Sequence, residues 1–546
     1  KELATGTAET SGIPPISSGR FVAVLPLQIL GDQSQLGFLA QGIEEALSAK
    51  LFQLKGVRVT SADAAAKVDQ KQPLQKIARS LGANLLLQGM IQGNGDKIRI
   101  ILNLENVAEG KRVWSKQFDG IPADLFSLED SIYSDVVTAL DVNPTNEENA
   151  NAAARPTQNV AAYDLYLRGR NSLRGHDSKN IQTALDYFDQ ALKQDPKFAL
   201  AYAGIADASL RMYGSTKEGF WTQKALGAAQ QADQLNGNLT EVHSTLGSVY
   251  DTTGKYSEAI AELKRAITLA PNSDEAYRRL GGVYLDSGNV SQAIENFQKA
   301  IQLNPYFWVN QNELGNAYLH QQDYAKALEA FKQVTVLEPD IGTGYDNMGN
   351  AYLSQGKYKE CIPYFQKALQ VEPYSATYSN LGTAYFFLKQ YADASAMFEK
   401  ARDLTPNDTQ IVVNLADAYR WSQQQDKATA TYQQAISLGF KELATNPQDA
   451  EVMAQIALSY AKTGDIKQAT DFIHRAKAID KENVDYIYDE AMINSIGNRN
   501  SEAFKSLEEA FQKNYPADYA AGDPELGNIQ KDPRFNSLIQ KYSKKK

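Results

Sequence analysis

The chain has 546 residues, with 55 Lys and Arg against 65 Asp and Glu, a formal charge of −10. Its 22% charged and 43% apolar residues describe a folded chain, and its length predicts three or four domains. One cysteine (Cys361) and four histidines (His176, His243, His320, His474) exclude an internal disulfide framework and all but exclude Cys/His zinc sites; the acidic balance argues against a nucleic-acid partner. The 29 tyrosines are an excess that needs a cause.

Residues 1–19, rich in Thr, Ser, Gly and Pro, are too polar to bury a core and read as a flexible tether. The chain opens at Lys1 without a methionine, which reads as processed or truncated. A signal, a lipid anchor, a transmembrane helix or another domain all stay open as what preceded it. No run approaches the 18 or so apolar residues of a membrane span.

Residues 20–141 change character. Phe21–Pro26 is an apolar run ended by proline, a buried strand; Gly37–Gln53 has helical periodicity and Val57–Thr60 is a short strand. Leu74–Leu81 is helical. Asn84–Gln92, Lys97–Asn106 and Arg112–Phe118 alternate as strands of a meander joined at Gly93–Asp96 and Ala108–Lys111, and Asp124–Leu140 closes with a helix. The order β-α-β-α-β-β-β-α predicts a small α/β domain. Residues 142–160, rich in Asn and Ala, read as a linker.

From residue 161 to 516 the chain repeats itself. Leu-Gly-x-x-Tyr recurs at Gly247, Gly281, Gly315, Gly349 (with Met348 for Leu) and Gly382, in steps of 34, 34, 34 and 33. Prolines at 271, 305, 339, 373 and 406 and the series Ala259, Ala293, Ala327, Cys361, Ala394, Ala428 keep the same period. Within a unit, apolar residues at helical spacing run to Gly254, then again from Ala259 to Ala266 before Pro271. Each unit is therefore two antiparallel helices with small residues at the closest approach. One hairpin cannot bury both faces, so neighbours stack into a solenoid. Irregular copies on both sides, two carrying insertions at Ser172–Lys179 and Tyr213–Trp221, bring the total to about ten, the eighth with a second helix prolonged through Thr445. Cys361 stands where alanine stands elsewhere and reads as a small buried packer; Tyr250, Tyr284, Tyr318, Tyr352, Tyr385, Tyr419 and Tyr460 share one position and explain most of the tyrosine excess. Residues 517–546 form a capping helix and a basic tail.

These units closely resemble the tetratricopeptide repeat (TPR). The α/β segment resembles the domain shared by the amino-terminal part of TolB and FlgO-like proteins, through Val22–Pro26, Ile77–Ala83, Leu87–Gly89 and Lys111–Ser115; Asp532–Phe535 resembles the usual end of such arrays. The resemblance implies a mainly α chain in which a superhelical solenoid follows the α/β domain. It further implies a bacterial, extracytoplasmic setting, periplasmic or membrane-tethered, with the cytoplasm as the alternative. Such chains often form the carboxy-terminal part of membrane-bound Ser/Thr kinases, cyclases or winged-helix regulators.

No phosphate-binding loop, zinc signature, nucleophile elbow or kinase motif occurs, so no catalytic, cofactor or metal residue is nominated and the chain reads as non-enzymatic. By family analogy the first helix of each unit lines a concave groove. With the glycine as position 8, positions 2, 5, 6, 9, 12 and 13 share that face. Asn316, Asn347, Asn350, Asn380 and Asn414 fall at positions 6 and 9 and suit an extended peptide backbone, although asparagine is common there in the repeat. Arg278 and Arg279 could pair a ligand carboxylate. Phe386, Phe387, Arg420 and Trp421 at positions 12 and 13 are candidate interface anchors, or equally inter-repeat packing. Tyr306–Trp308 and Phe220–Trp221 are contact patches or local packing. The function expected is a scaffold binding a protein or peptide. A sensory module of a kinase or cyclase and a structural subunit of a bacterial envelope assembly are the alternatives.

Overall fold

The computed structural model describes residues 13–93, 97–173, 178–216, 218–445 and 447–543. His176, the 94–96 turn and the end of the basic tail lie outside them, as do residues 1–12 of the tether. The chain divides into two compact units, residues 1–351 and 352–546.

Unit 1 opens with the α/β domain: β1 (Arg20–Val24), β2 (Gln28–Leu30), α1 (Gln33–Phe52), β3 (Val57–Val59), α2 (Ala62–Ala66), α3 (Leu74–Ser80), β4 (Leu85–Gly93), β5 (Ile98–Asn106), β6 (Lys111–Gly120) and α4 (Leu125–Ala139). The sheet order is β3-β1-β4-β5-β6. β1 is parallel to both neighbours, β2 lies parallel to the far end of β4, and β4, β5 and β6 form the antiparallel meander. β5 alternates strictly, so Ile98, Ile100, Leu102 and Leu104 enter the core with residues of α1 and α4. The other face of β1 and β4, through Ala23 and Leu86, is covered by Ile77 and Ala78 of α3 and by Leu81 just after it. β2 is absent from the sequence reading: three residues, exposed at both ends, carry no alternation to detect.

A second difference lies in the 142–160 stretch. Residues Asn146–Ala153 are helical (α5), started by a capping box in which Thr145 and Glu148 bond each other's backbone. Glu148 also accepts the Lys55 N–H at 2.9 Å, which ties α5 to the end of α1.

Among the described residues twenty helices follow between Val160 and Gln512, one of which, Thr343–Leu353, spans the boundary of the two units, and the chain is 71% helical. Five pairs, from Val160–Ser172 with Ser178–Gln194 to Trp308–His320 with Tyr324–Leu337, belong to unit 1. The Tyr213–Trp221 insertion is mostly absorbed into longer helices, Ala199–Thr216 and Gly219–Asn236, rather than looped out. Ser215 and Thr216 donate to the carbonyls of Arg211 and Met212 and continue the first of them. The repeat glycine marks where helices touch: a Cβ at Gly315 would sit 2.4 Å from the Phe331 ring.

Unit 2 contains Tyr358–Val371, then four pairs: Ser375–Phe387 with Tyr391–Leu404, Thr409–Trp421 with Gln425–Thr445, Ala450–Thr463 with Ile466–Ile479, and Val484–Ile496 with Asn500–Gln512. The end is not one capping helix but three short ones, Ala517–Gly522, Gly527–Gln530 and Pro533–Tyr542. They and the 3-10 turn Pro524–Leu526 bury Leu526, Ile529 and Phe535 against Ile487, Ala491, Leu507 and Phe511 of the last pair, which otherwise would leave an apolar face open. No helix among the described residues is long and apolar enough to cross a membrane.

Candidate functional site

In unit 1 most of the nominated groove residues are held by neighbouring side chains of the repeats. Arg278 lies 3.6 Å from Asp274, donates to Asn310 Oδ1 at 3.0 Å and covers the Phe307 ring. Arg279 donates to Glu275 at 2.8 Å and to Ser248 Oγ at 3.2 Å. Burial pushes the Glu275 carboxyl up, but Arg279, Arg278 and the Ser61 hydroxyl outweigh it and hold that group below the usual range. Asn347 donates to Asn312 at 2.7 Å and Asn350 to Asp346 at 3.1 Å; Asn316 is half-buried. A ligand carboxylate at Arg278 or Arg279 would have to displace a carboxylate already bound.

The α/β domain itself lies on unit 1's repeats, at the turns that precede their first helices. Ser80 Oγ donates to Glu338 at 2.6 Å, while Lys76 and Arg79 lie 3.8 and 3.6 Å from Asp340. Phe21 meets Tyr306 edge-on at 5.6 Å, and Gly82 (φ +60°) lets the backbone pass so close that a Cβ would lie 2.7 Å from Phe307 N. Tyr306 and Phe307, ambiguous in sequence, are thus an intramolecular contact patch for the α/β domain.

In unit 2 the nominated aromatic residues converge. Phe387, 36% exposed, stacks on Tyr358 at 4.8 Å and meets Tyr519 of the carboxy-terminal segment at 5.6 Å. Phe386 packs on Tyr391, which tilts against Trp421 at 6.1 Å. The Trp421 Nε1–H is buried with no acceptor among the described residues. Arg420 is engaged: its Nη1 donates to both carboxylate oxygens of Glu525 at 2.8 Å. Asn414 accepts from Gln410 at 2.8 Å, and Asn380 is half-buried.

Sequence reasoning missed the charged floor beneath these rings. Lys462, only 4% exposed, lies 2.7 Å from Asp417 and 3.9 Å from Glu525, and the Tyr432 hydroxyl donates to Asp417. Tyr488 donates to Asp523 at 2.7 Å. The same position count could have found Asp417 at position 9, Lys462 at 13, and Asp485, Tyr488 and Asp489 at 2, 5 and 6 of their repeats, because Ala416, Ala457 and Ala491 stand in for the repeat glycine. Charged residues on helical hairpins usually lie on solvated faces, so nothing in their type marked these as buried.

Other chemistry is sparse. Cys361 is buried, its thiol pushed up to about 11 by that burial, and it donates to the Tyr358 carbonyl at 3.1 Å. His243 is wedged between Glu262 at 2.7 Å and the Gly237 carbonyl at 2.8 Å. Among the described residues no group of three or more His, Cys, Asp and Glu could hold a metal ion.

Paired helices at a constant period, with a small residue at the crossing, define an α-solenoid of the TPR type. The repeat-family models agree: tetratricopeptide repeat models match residues 274–307, 310–341 and 340–407, and a TPR repeat model matches 247–288. The chain thus carries tetratricopeptide repeats in a solenoid of that type, with a small amino-terminal sheet region. It is similar to "Putative adenylate cyclase 3" of Rhizobium meliloti (strain 1021), 27% identical over 252 residues, 45% of this chain and 43% of that protein; the match thus spans under half the relative's length. Among solved structures it is similar to a tetratricopeptide repeat protein from Parabacteroides merdae (18% identity, 47% of this chain and 98% of that one, TM-score 0.37). It is also similar to a thermophilic TPR protein of Thermus thermophilus (22%, 33% and 98%, TM-score 0.30).

Proposed function

We propose that this chain is a non-enzymatic interaction scaffold that takes a segment of a protein partner on the concave face of unit 2. The observation that carries the reading is the row Tyr358–Phe387–Tyr519, continued by Phe386, Tyr391 and Trp421, in which two rings stay over a third exposed. Exposed aromatics beside buried charges are the usual anchors of a protein interface. The corresponding face of unit 1 is occupied by its own hydrogen bonds, and its edge by the α/β domain, which leaves unit 2 as the open surface. The resemblance of residues 20–141 to the TolB/FlgO-type domain fits a second partner there.

The test is cross-linking of the captured partner, with the cross-linked residues mapped. Cross-links should fall on Ser375–Phe387 and Thr409–Trp421 and vanish in Phe386→Ala/Phe387→Ala/Trp421→Ala, with folding checked by circular dichroism. A partner retained by that variant sinks the groove assignment.

A second reading, favoured by the likeness to the cyclase-named relative, makes the chain a regulatory module attached to an enzyme. The coding sequence upstream of Lys1 decides it. A catalytic domain joined through a transmembrane helix supports the module; a signal or lipid-attachment site alone overturns it.

A further inference from the structure

The last repeat indicates what kind of segment the unit 2 groove accepts. Asp485, Tyr488 and Asp489 occupy positions 2, 5 and 6 of the helix Val484–Ile496, so both carboxylates share one face of it. Tyr488 stacks on Tyr515 at 4.0 Å, and Tyr519 meets their edges at 6.4 and 6.1 Å. Tyr519 is 43% exposed and continues to Phe387, and its hydroxyl feels the charges of Asp489 and Asp485, so the ring and the two carboxylates lie near one another.

The acidic groups there outnumber the cations within reach among the described residues. Lys462 is held by Asp417 and Glu525, and Arg420 by Glu525. Asp523, which accepts from the Tyr488 hydroxyl and the Glu525 N–H, adds a further negative group. Among the described residues Asp485 and Asp489 form no ion pair. Burial and the neighbouring Asp485 and Asp523 push the Asp489 carboxyl up to about 8, against the pull of Lys462. That is the expected state of an acid without its counter-ion.

We propose that the groove of unit 2 receives an extended partner segment through an arginine or lysine side chain, set between Asp485 and Asp489 and against the ring of Tyr519. The proposal rests on the scaffold reading above and adds the sign of the ligand. A cation over an aromatic face gains from the ring quadrupole, and the paired carboxylates gain their missing partner. An acidic segment would meet like charge. A lone ammonium ion would leave the apolar row from Phe387 to Trp421 uncovered, so a peptide is the fitting occupant.

The full chain is titrated calorimetrically with hexa-arginine and with hexa-glutamate at about 150 mM salt, where diffuse attraction to a net-acidic protein is screened. Hexa-arginine is expected to bind and hexa-glutamate not. Asp485→Asn/Asp489→Asn should weaken binding about tenfold or more. Tyr519→Ala should weaken it and Tyr519→Phe preserve it, because the ring and not the hydroxyl meets the cation. Binding should strengthen between pH 6.5 and 9, as Asp489 ionises beside Asp485, Asp523 and Lys462. The control Asp471→Asn/Glu482→Gln removes two exposed carboxylates of unit 2 outside the groove and should leave affinity within about twofold. Equal losses in control and groove variants, wild-type binding by the Asn variant, or preference for hexa-glutamate would overturn the proposal. If the Asn variant binds normally while Phe386→Ala/Phe387→Ala/Trp421→Ala still loses its cross-linked partner, the basic ligand falls and the groove reading stands.

Discussion

Arg420 Nη1 lies 2.8 Å from both carboxylate oxygens of Glu525, 105 residues further along the chain. The pair closes a half-buried network with Lys462 and Asp417, and it fixes the carboxy-terminal segment on the last three repeats. Removing one member of such a network leaves the others desolvated without a counter-charge. Glu525→Ala should therefore cost about 3–5 kcal/mol of unit 2 stability, and Glu525→Ala/Arg420→Met should recover part of it. Chemical denaturation of the two variants checks both numbers.

The packing at Gly315 makes a sharper demand. Since a Cβ there would lie 2.4 Å from the Phe331 ring, Gly315→Ala should destabilise by about 1–3 kcal/mol despite alanine's better helix propensity. Gly315→Ala/Phe331→Leu should be milder. A thermal melt that places Gly315→Ala at or above the parent would contradict the close approach.

Glu129 in α4 gives unit 1 a pH dependence of known sign. Burial pushes its carboxyl up to about 8, with Lys50, Tyr163 and Arg155 opposing and Asp130 reinforcing. The folded state therefore keeps a proton that the unfolded chain releases near its ordinary value of about 4.5. Stability from this group is fully present below that value and falls as pH rises toward 8. Glu129→Gln should be neutral below about pH 4.5 and stabilising at pH 9, read by denaturant midpoints of unit 1.

Glu338 and Asp340 hold α3 of the α/β domain to the repeats. Glu338→Ala/Asp340→Ala, combined with Tyr306→Ala, should speed amide exchange in Leu74–Ser80 while the solenoid helices keep their protection. Unchanged exchange in that segment would show that the contact does not hold the domain.

Cys361 supplies a reporter for unit 2. Buried, and with its thiol pushed up to about 11, it should resist alkylation at pH 7.5 until unit 2 opens. Labelling against denaturant should follow the loss of helical signal; rapid labelling in buffer would place the thiol at the surface.

The periodic features were legible because each rests on local chemistry. Leu-Gly-x-x-Tyr, the alanine slot and the terminal proline state a helical hairpin within 34 residues, and Cys361 was assigned by register alone. β5 was legible from its alternation; β2 and α5 were not, the first for lack of length. The second did carry a signature, Thr145-Asn-Glu-Glu148, inside a stretch whose composition suggested a linker. Among the candidate anchors, Phe387 and Trp421 were found from their position, whereas Asp417, Lys462 and Asp489 escaped because charged residues on helical hairpins read as solvated faces.

By itself the sequence determined a repeating two-helix unit, its period, its small-residue crossings and the α/β domain before it, since all of these follow from contacts between residues close in the chain. Only the tertiary structure decided which charges remain available. Arg420 reads as an available cation in sequence, yet Glu525 reaches it and Lys462 from far along the chain, while Asp485 and Asp489 form no ion pair among the described residues. Helix periodicity is a local property; compensation of a buried charge depends on whatever the fold brings within a few ångströms of it, and that is the sum of many small turns between repeats.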